Sequence, residues 1–119
     1  MRAITFSPWM TNSKPLFTRL KILNVYNLHD LAVLTFVYDL LNRKLPHSLT
    51  DYCQEIEHNY STRGKDNNKL YMPKCKTTQG QFSISFVGTK LWNSLPDYIT
   101  EKKSRNSFRN LLSSYLLLN

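Results

Sequence analysis

The feature that most constrains the fold is the stretch from Leu28 to Leu41. Apolar residues recur so densely there that, wound as an α-helix, they cover nearly the whole circumference. A helix with so little polar surface is stable only when other elements surround it. Asn27 favours a helix start just before this stretch, and Pro46 stops the helix soon after it. The sequence therefore predicts a helix at the centre of the core.

Shorter helices are predicted on both sides of this element. Leu16, Leu20 and Leu23 follow the i, i+4, i+7 spacing of a short amphipathic helix, and residues 47–57 predict a third, short one. Residues 1–13 have no such pattern and are interpreted as a ragged lead-in to one domain over 14–119. After Ser104, a clean helical spacing connects the apolar residues Phe108, Leu111, Leu112, Tyr115 and Leu116.

The middle of the chain carries the patterns that favour strands. Residues 70–72 form a short apolar run, and residues 81–87 alternate, with Phe82, Ile84 and Phe86 on one side. Two such strands predict a hairpin. Gly88 is expected to let the backbone reverse after the second strand, so that Trp92 reaches the core. The predicted fold class is α+β, a small and mostly helical domain with one short β-hairpin.

The charge is strongly unbalanced. Sixteen lysines and arginines face eight acidic residues, a net charge of +8. Such a chain attracts polyanions, either nucleic acid or acidic lipid headgroups, although plain basic solubility gives the same balance. The cations concentrate in the segment 58–80, where tyrosines lie between them, which is typical of binding to RNA or single-stranded DNA. The candidate nucleic-acid-binding residues are Arg63, Lys65, Lys69, Lys74 and Lys76. A solvated loop anchored by its tyrosines explains the same pattern equally well.

Several kinds of catalytic site are not predicted. Two-metal nucleotidyl transfer needs clustered carboxylates, and the chain has no Asp-Asp pair. Its histidines and cysteines lack the spacing of a zinc site, and three glycines are too few for a phosphate-binding loop. We therefore expect no enzyme activity, no metal and no cofactor.

The cellular setting follows from what the sequence lacks. Cys53 and Cys75 are 22 positions apart and do not make a dense disulfide framework. The apolar run 31–38 is far shorter than the roughly 18 residues of a membrane span. No secretory signal is recognisable at the N-terminus. We expect an intracellular protein with free thiols and no membrane partner.

Four motifs in order resemble a known family. They are KPLFTRLKILNVYNLHDLAVLTFVYDLLNRKLP at 14–46, HNYSTR at 58–63, FSISFVGTKLWNSLP at 82–96 and SRNSFRNLLSSYLL at 104–117. Together they are similar to the C-terminal tail of non-LTR (LINE-type) retrotransposon reverse transcriptases, the region after the palm and thumb of the polymerase. Arg109 stands where the family pattern has a lysine, and Asn110 departs from it.

The resemblance implies a parent that is an RNA-directed DNA polymerase, whose metal-binding aspartates lie upstream of this region. The chain itself would then be an auxiliary, non-catalytic module that contacts nucleic acid through its basic segment. Two alternatives stay open. One is a protein–protein interaction or structural module, pairing with the upstream polymerase domains. The other is a translated relic of a 5′-truncated element with no present function.

Overall fold

The computed structural model describes residues 2–56 and 68–118. Six α-helices occur in these ranges, and 3₁₀ helices lie at His47–Tyr52 and Gly80–Phe82. The α-helices are α1 Arg2–Thr5, α2 Ser13–Arg19, α3 Val25–Leu41, α4 Ile84–Ser94, α5 Asp97–Thr100 and α6 Arg105–Leu118.

The predicted central helix is confirmed as α3. Its side chains between Leu31 and Leu40 are mostly buried, and Leu34, Val37 and Tyr38 are almost completely so. The helix begins two residues earlier than expected, because the Asn24 side chain accepts a hydrogen bond from the Asn27 N–H at 2.7 Å. Helices α4 and α6 pack against α3, so the three longest helices enclose the core.

An aromatic stack joins these three helices. The Tyr38 ring of α3 lies 4.4 Å from the Phe108 ring of α6, nearly parallel to it. Trp92 of α4 lies 5.9 Å from the same Phe108 ring, and only 3% of Trp92 is exposed. The prediction that Trp92 belongs to the core is therefore confirmed. The final helix is amphipathic as expected, with Phe108, Leu112 and Leu116 buried.

The predicted α+β class is wrong, because the described residues form a small helical domain without a sheet. Residues 81–87, expected as a strand, instead contain the end of a 3₁₀ helix and the start of α4. Ser83 is the N-cap of α4, its hydroxyl accepting a bond from the Phe86 N–H. Phe82, placed on the buried side of the expected strand, is 77% exposed. No hairpin forms: Leu70 makes an isolated antiparallel bridge with Glu55, the one bridge of the described chain.

The reason for this error lies in the composition of the buried face of α4. That face carries Ser85, Gly88, Thr89 and Trp92, which follow the i, i+3, i+4, i+7 spacing of a helix. Its small and polar residues hide the helical pattern from a hydrophobicity argument. Gly88, expected to reverse the chain, lies in the middle of α4 instead. A Cβ atom on Gly88 would come within 2.8 Å of the Val37 side chain, so glycine is what allows α3 and α4 to approach this closely.

We expect Gly88→Ala to destabilise the domain, although alanine favours a helix over glycine by about 0.5–1 kcal/mol. Val37 is fully buried and has little room to move, and overpacking of this kind costs about 1–3 kcal/mol. Chemical denaturation measures the difference. Lys90→Ala, at an exposed position of the same helix, is the control and should change little. A higher denaturation midpoint for Gly88→Ala than for the parent chain would show that a Cβ atom at position 88 fits against Val37 without overpacking.

Candidate nucleic-acid interface

Three of the five basic residues predicted to bind nucleic acid lie among the described residues: Lys69, Lys74 and Lys76. Arg63 and Lys65 lie outside the described residues. The three lysines lie in residues 68–79, which contain no helix and precede the 3₁₀ helix Gly80–Phe82, and their surroundings differ. Lys69 is tied to the helical body, whereas Lys74 and Lys76 are exposed.

The Lys69 ammonium group binds the end of α4. Its Nζ donates to the Asn93 carbonyl at 2.8 Å and to the Leu95 carbonyl at 3.4 Å, and it lies 4.0 Å from an Asp97 carboxylate oxygen. A cation is favourable there, because the last carbonyls of a helix carry partial negative charge and have no partner within the helix. Only a quarter of the Lys69 side chain is exposed. Much of its charge is thus already satisfied by the protein.

Helix α4 also holds the backbone beside Lys69. The Trp92 indole N–H donates to the Asn68 carbonyl at 3.1 Å. The Asn93 side chain binds Leu70 twice: its oxygen accepts from the Leu70 N–H at 2.8 Å, and its amide donates to the Leu70 carbonyl at 2.9 Å. An asparagine amide can satisfy both backbone groups of one residue in this way, as a neighbouring strand would. We call these contacts of Trp92 and Asn93 with residues 68–70 the Trp-Asn clamp.

A second contact holds this segment from the other side. The Tyr71 N–H donates to the Gln54 carbonyl at 2.8 Å, next to the bridge between Glu55 and Leu70. The Leu70 side chain is 2% exposed, so the segment is also anchored by burial. The backbone of residues 68–71 is therefore fixed to two different parts of the domain.

Lys74 and Lys76 extend into solvent on either side of Cys75. The Cys75 side chain is half-buried, with its sulfur 3.5 Å from the Gly80 carbonyl, and the Gly80 N–H donates to the Thr77 hydroxyl at 3.1 Å. Neither lysine forms an ion pair with any residue of the described chain. This arrangement leaves both ammonium groups available to an anion.

Of the basic residues near the C-terminus, one pairs with an acidic group of the protein and the others are exposed, as in the segment 68–79. The Arg105 guanidinium lies 3.0 Å from the Asp39 carboxylate, a largely buried group on α3, and so connects α6 to α3. Lys102 and Lys103, just before α6, are exposed and unpaired with any described acidic group. Arg109 is exposed on α6. The free cations here are thus the two lysines and Arg109.

The histidine, cysteine and acidic side chains are the groups that could hold a metal or act as nucleophiles. Within residues 2–56 and 68–118, no three histidine, cysteine or acidic side chains are grouped as metal ligands would be. Both cysteines are free thiols. Burial raises the pKa of the Cys53 thiol, and the neighbouring Thr89 partly offsets this. A raised pKa keeps Cys53 protonated at neutral pH, which is unsuited to a nucleophile.

Crossing a bilayer requires a helix of sufficient length and apolar composition, and none in the described ranges has both.

Comparison with protein-family models, with curated proteins and with solved structures finds no match to this chain.

Sequence reasoning missed the role of Asn93. The sequence predicts the burial of Trp92, the residue just before it. Asn93 gives no such signal, because an asparagine near a helix end is commonly a cap. Its partner, the backbone of Leu70, is 23 positions away in the sequence. A pairing between a side chain and a distant backbone leaves no periodic signal. The one available hint was that Trp92 and Asn93 fall within the segment 82–96 that resembles the retrotransposon family.

We expect Asn93→Ala to destabilise the domain by about 2–4 kcal/mol, because it leaves the buried N–H and carbonyl of Leu70 without partners. Asn93→Asp restores the acceptor but places a carboxylate against a carbonyl, so it should not recover the loss. Thermal or chemical denaturation gives the comparison. Ser94→Ala, at the next and exposed position, is the control. Equal stability of the Asn93 and Ser94 variants would argue against the clamp.

Proposed function

We propose that this chain is an auxiliary, non-catalytic module of a non-LTR retrotransposon reverse transcriptase, and that it contacts RNA or single-stranded DNA through exposed lysines. The proposal rests on the four motifs at 14–46, 58–63, 82–96 and 104–117, and on the net charge of +8. The main support for a contact with nucleic acid is the exposure of Lys74 and Lys76, which no described acidic group neutralises.

The chemistry of these cations favours binding without sequence preference. Lysine ammonium groups neutralise phosphates as point charges, and each neutralised phosphate releases bound counterions. Affinity of this origin depends strongly on salt and weakly on base sequence. In the proposed setting the upstream polymerase domains supply the metal-binding aspartates and the chemistry, and this module adds affinity for the template or product strand. The proposed location is intracellular.

The Trp-Asn clamp supports the same proposal. It connects the segment that carries Lys69, Lys74 and Lys76 to the core of the domain, and it does so with two adjacent residues of the motif 82–96. A segment anchored in this way loses less conformational entropy when it binds a strand than a free loop would.

We expect the affinity for a single strand to fall as salt rises. Each phosphate contact contributes about −0.7 to the slope of log K against log salt, so the four candidate residues other than Lys69, whose ammonium group already binds the end of α4, give about −2.8. The double variant Lys74→Ala, Lys76→Ala should flatten the slope by about 1.4, the share of two contacts. Fluorescence anisotropy with a labelled oligonucleotide at several salt concentrations measures it. A slope unchanged in this variant would move the site away from residues 74–76.

A second candidate function is contact with a protein partner. The observation in its favour is the N-terminal segment 2–11, which we call the apolar arm. Its large side chains are mostly uncovered: Ile4 is 67% exposed, Phe6 95%, Trp9 77% and Met10 79%. The arm nevertheless has a defined shape, since the Arg2 side chain donates to the Thr11 carbonyl at 3.0 Å and the Ser7 N–H donates to the Arg2 carbonyl. Several large apolar side chains exposed on one hydrogen-bonded segment are typical of protein interfaces.

If the apolar arm is an interface, the isolated chain should associate with itself as its concentration rises, because these large apolar side chains are mostly exposed. Phe6→Ser with Trp9→Ser should then remain monomeric and keep the melting temperature of the parent. Sedimentation velocity over a concentration series distinguishes the two. Tyr98→Ser, a single exposed aromatic far from the arm in sequence, is the control. A parent chain that stays monomeric throughout would speak against this second function.

A further inference from the structure

A cleft opens between two basic parts of the chain, the segment around Lys69 and the residues just before α6. Its volume is about 460 Å³, and it lies between the end of α3, the end of α5 and the clamped residues 68–70. Lys69 lines one wall, and Lys102 and Lys103 line another. Cations from the segment 58–80 and from the residues before α6 therefore line the same cleft.

The inner surface of the cleft is formed by side chains that the core and hydrogen bonds hold in place. Tyr38 and Trp92 line it and belong to the aromatic stack of the core. The Tyr38 hydroxyl donates to the Lys102 carbonyl at 2.9 Å, which fixes the backbone of Lys102 at the rim. The Asn42 amide also lines the cleft, and its position is set by a bond to the Tyr38 carbonyl at 2.8 Å. Groups that are already held in place lose little conformational entropy when a ligand binds.

The polar groups of the cleft carry both signs of charge. Lys102 and Lys103 supply exposed ammonium groups, whereas the Lys69 ammonium is occupied by the carbonyls at the end of α4. Glu55 and Glu101 line the cleft as well. Two free cations suit a phosphate, but the carboxylates repel one. Carboxylates accept hydrogen bonds, and the donors that accompany a phosphate in a nucleotide are ribose hydroxyls and base N–H groups.

We propose that the cleft holds one nucleotide unit of a single strand, with Lys102 and Lys103 at its phosphate, and Asn42, Glu55 and Glu101 at its sugar and base edges. The inference deepens the proposed function and rests on it. The volume falls within the range of about 300–1,000 Å³ that ligand pockets occupy. From Leu70 at the cleft wall the chain reaches Lys74 in four residues, a span of at most about 14 Å. A strand that leaves the cleft along this segment can therefore reach Lys74.

Trp92 provides the signal for the test. The chain has two tryptophans, so Trp9→Phe leaves Trp92 as the only indole, at the wall of the cleft. The probes are a short oligouridylate, uridine monophosphate and inorganic phosphate. We expect saturable quenching of Trp92 by the first two and none by phosphate alone, since phosphate lacks the base that lies near the indole. Quenching by phosphate equal to that by the nucleotide would reduce the cleft to a simple anion site and overturn the inference.

Two double variants distinguish binding at the cleft from non-specific attraction of the nucleic acid to the positive charge of the whole chain. Lys102→Ala with Lys103→Ala and Arg19→Ala with Lys21→Ala each remove two positive charges. We expect the first pair to weaken oligouridylate binding by about tenfold or more, and the second pair, which lies outside the cleft, to change it much less. Asn42→Leu replaces the amide by an apolar group of similar shape, so it removes the hydrogen-bonding groups of this side chain without changing the charge. It should abolish the quenching while leaving the slope of affinity against salt nearly unchanged. Thermal melting confirms that each variant is folded.

The outcomes of the two proposals are distinguishable. If the parent chain binds no single strand at any salt concentration, the proposed function itself fails. If it binds, but both charge pairs weaken binding equally and Asn42→Leu has no effect, the proposed function stands and the cleft is not its site.

Discussion

The stack of Tyr38, Phe108 and Trp92 is the interaction on which the rest of this structure depends. Each ring comes from a different one of the three long helices, so the stack fixes α3, α4 and α6 relative to one another. Aromatic pairs of this geometry contribute about 0.5–1.5 kcal/mol beyond the burial of their area. The polar ends of two of these rings then reach outward. Tyr38 binds the Lys102 carbonyl, and Trp92 binds the Asn68 carbonyl.

Through those two hydrogen bonds the core positions the basic surface. The segment before α6 is held by Tyr38, and the segment around Lys69 is held by Trp92 and Asn93. Both segments border the same cleft. A change in the core therefore affects the placement of the cations, although the core carries none of them. This coupling is a reason to measure folding alongside binding in any variant of α4.

Charge and exposed apolar surface are distributed unevenly along the molecule. No acidic residue occurs before Asp30, and the apolar arm with its exposed Phe6 and Trp9 belongs to this acid-free part. At the C-terminal end of α3, by contrast, the cleft combines lysines with Glu55 and Glu101. The two candidate functions thus use different regions of the chain: a protein partner would cover the arm, and a nucleic acid would occupy the cleft and the lysines beyond it. The two are compatible in one protein.

The sequence by itself determined the central helix, the amphipathic helix α6, the burial of Trp92 and the excess of positive charge. These follow from periodicity and composition, which are local properties. Tertiary structure decided the state of residues 81–87. The buried face of α4 combines the small residues Gly88 and Thr89 with Trp92, and such a face becomes recognisable only when α3 lies against it. Tertiary structure also decided that Lys69 binds the end of α4, whereas Lys74 and Lys76 remain exposed. These lysines look alike in the sequence. What distinguishes them is the proximity of carbonyl groups more than 20 positions away, and only the packed chain brings those groups together.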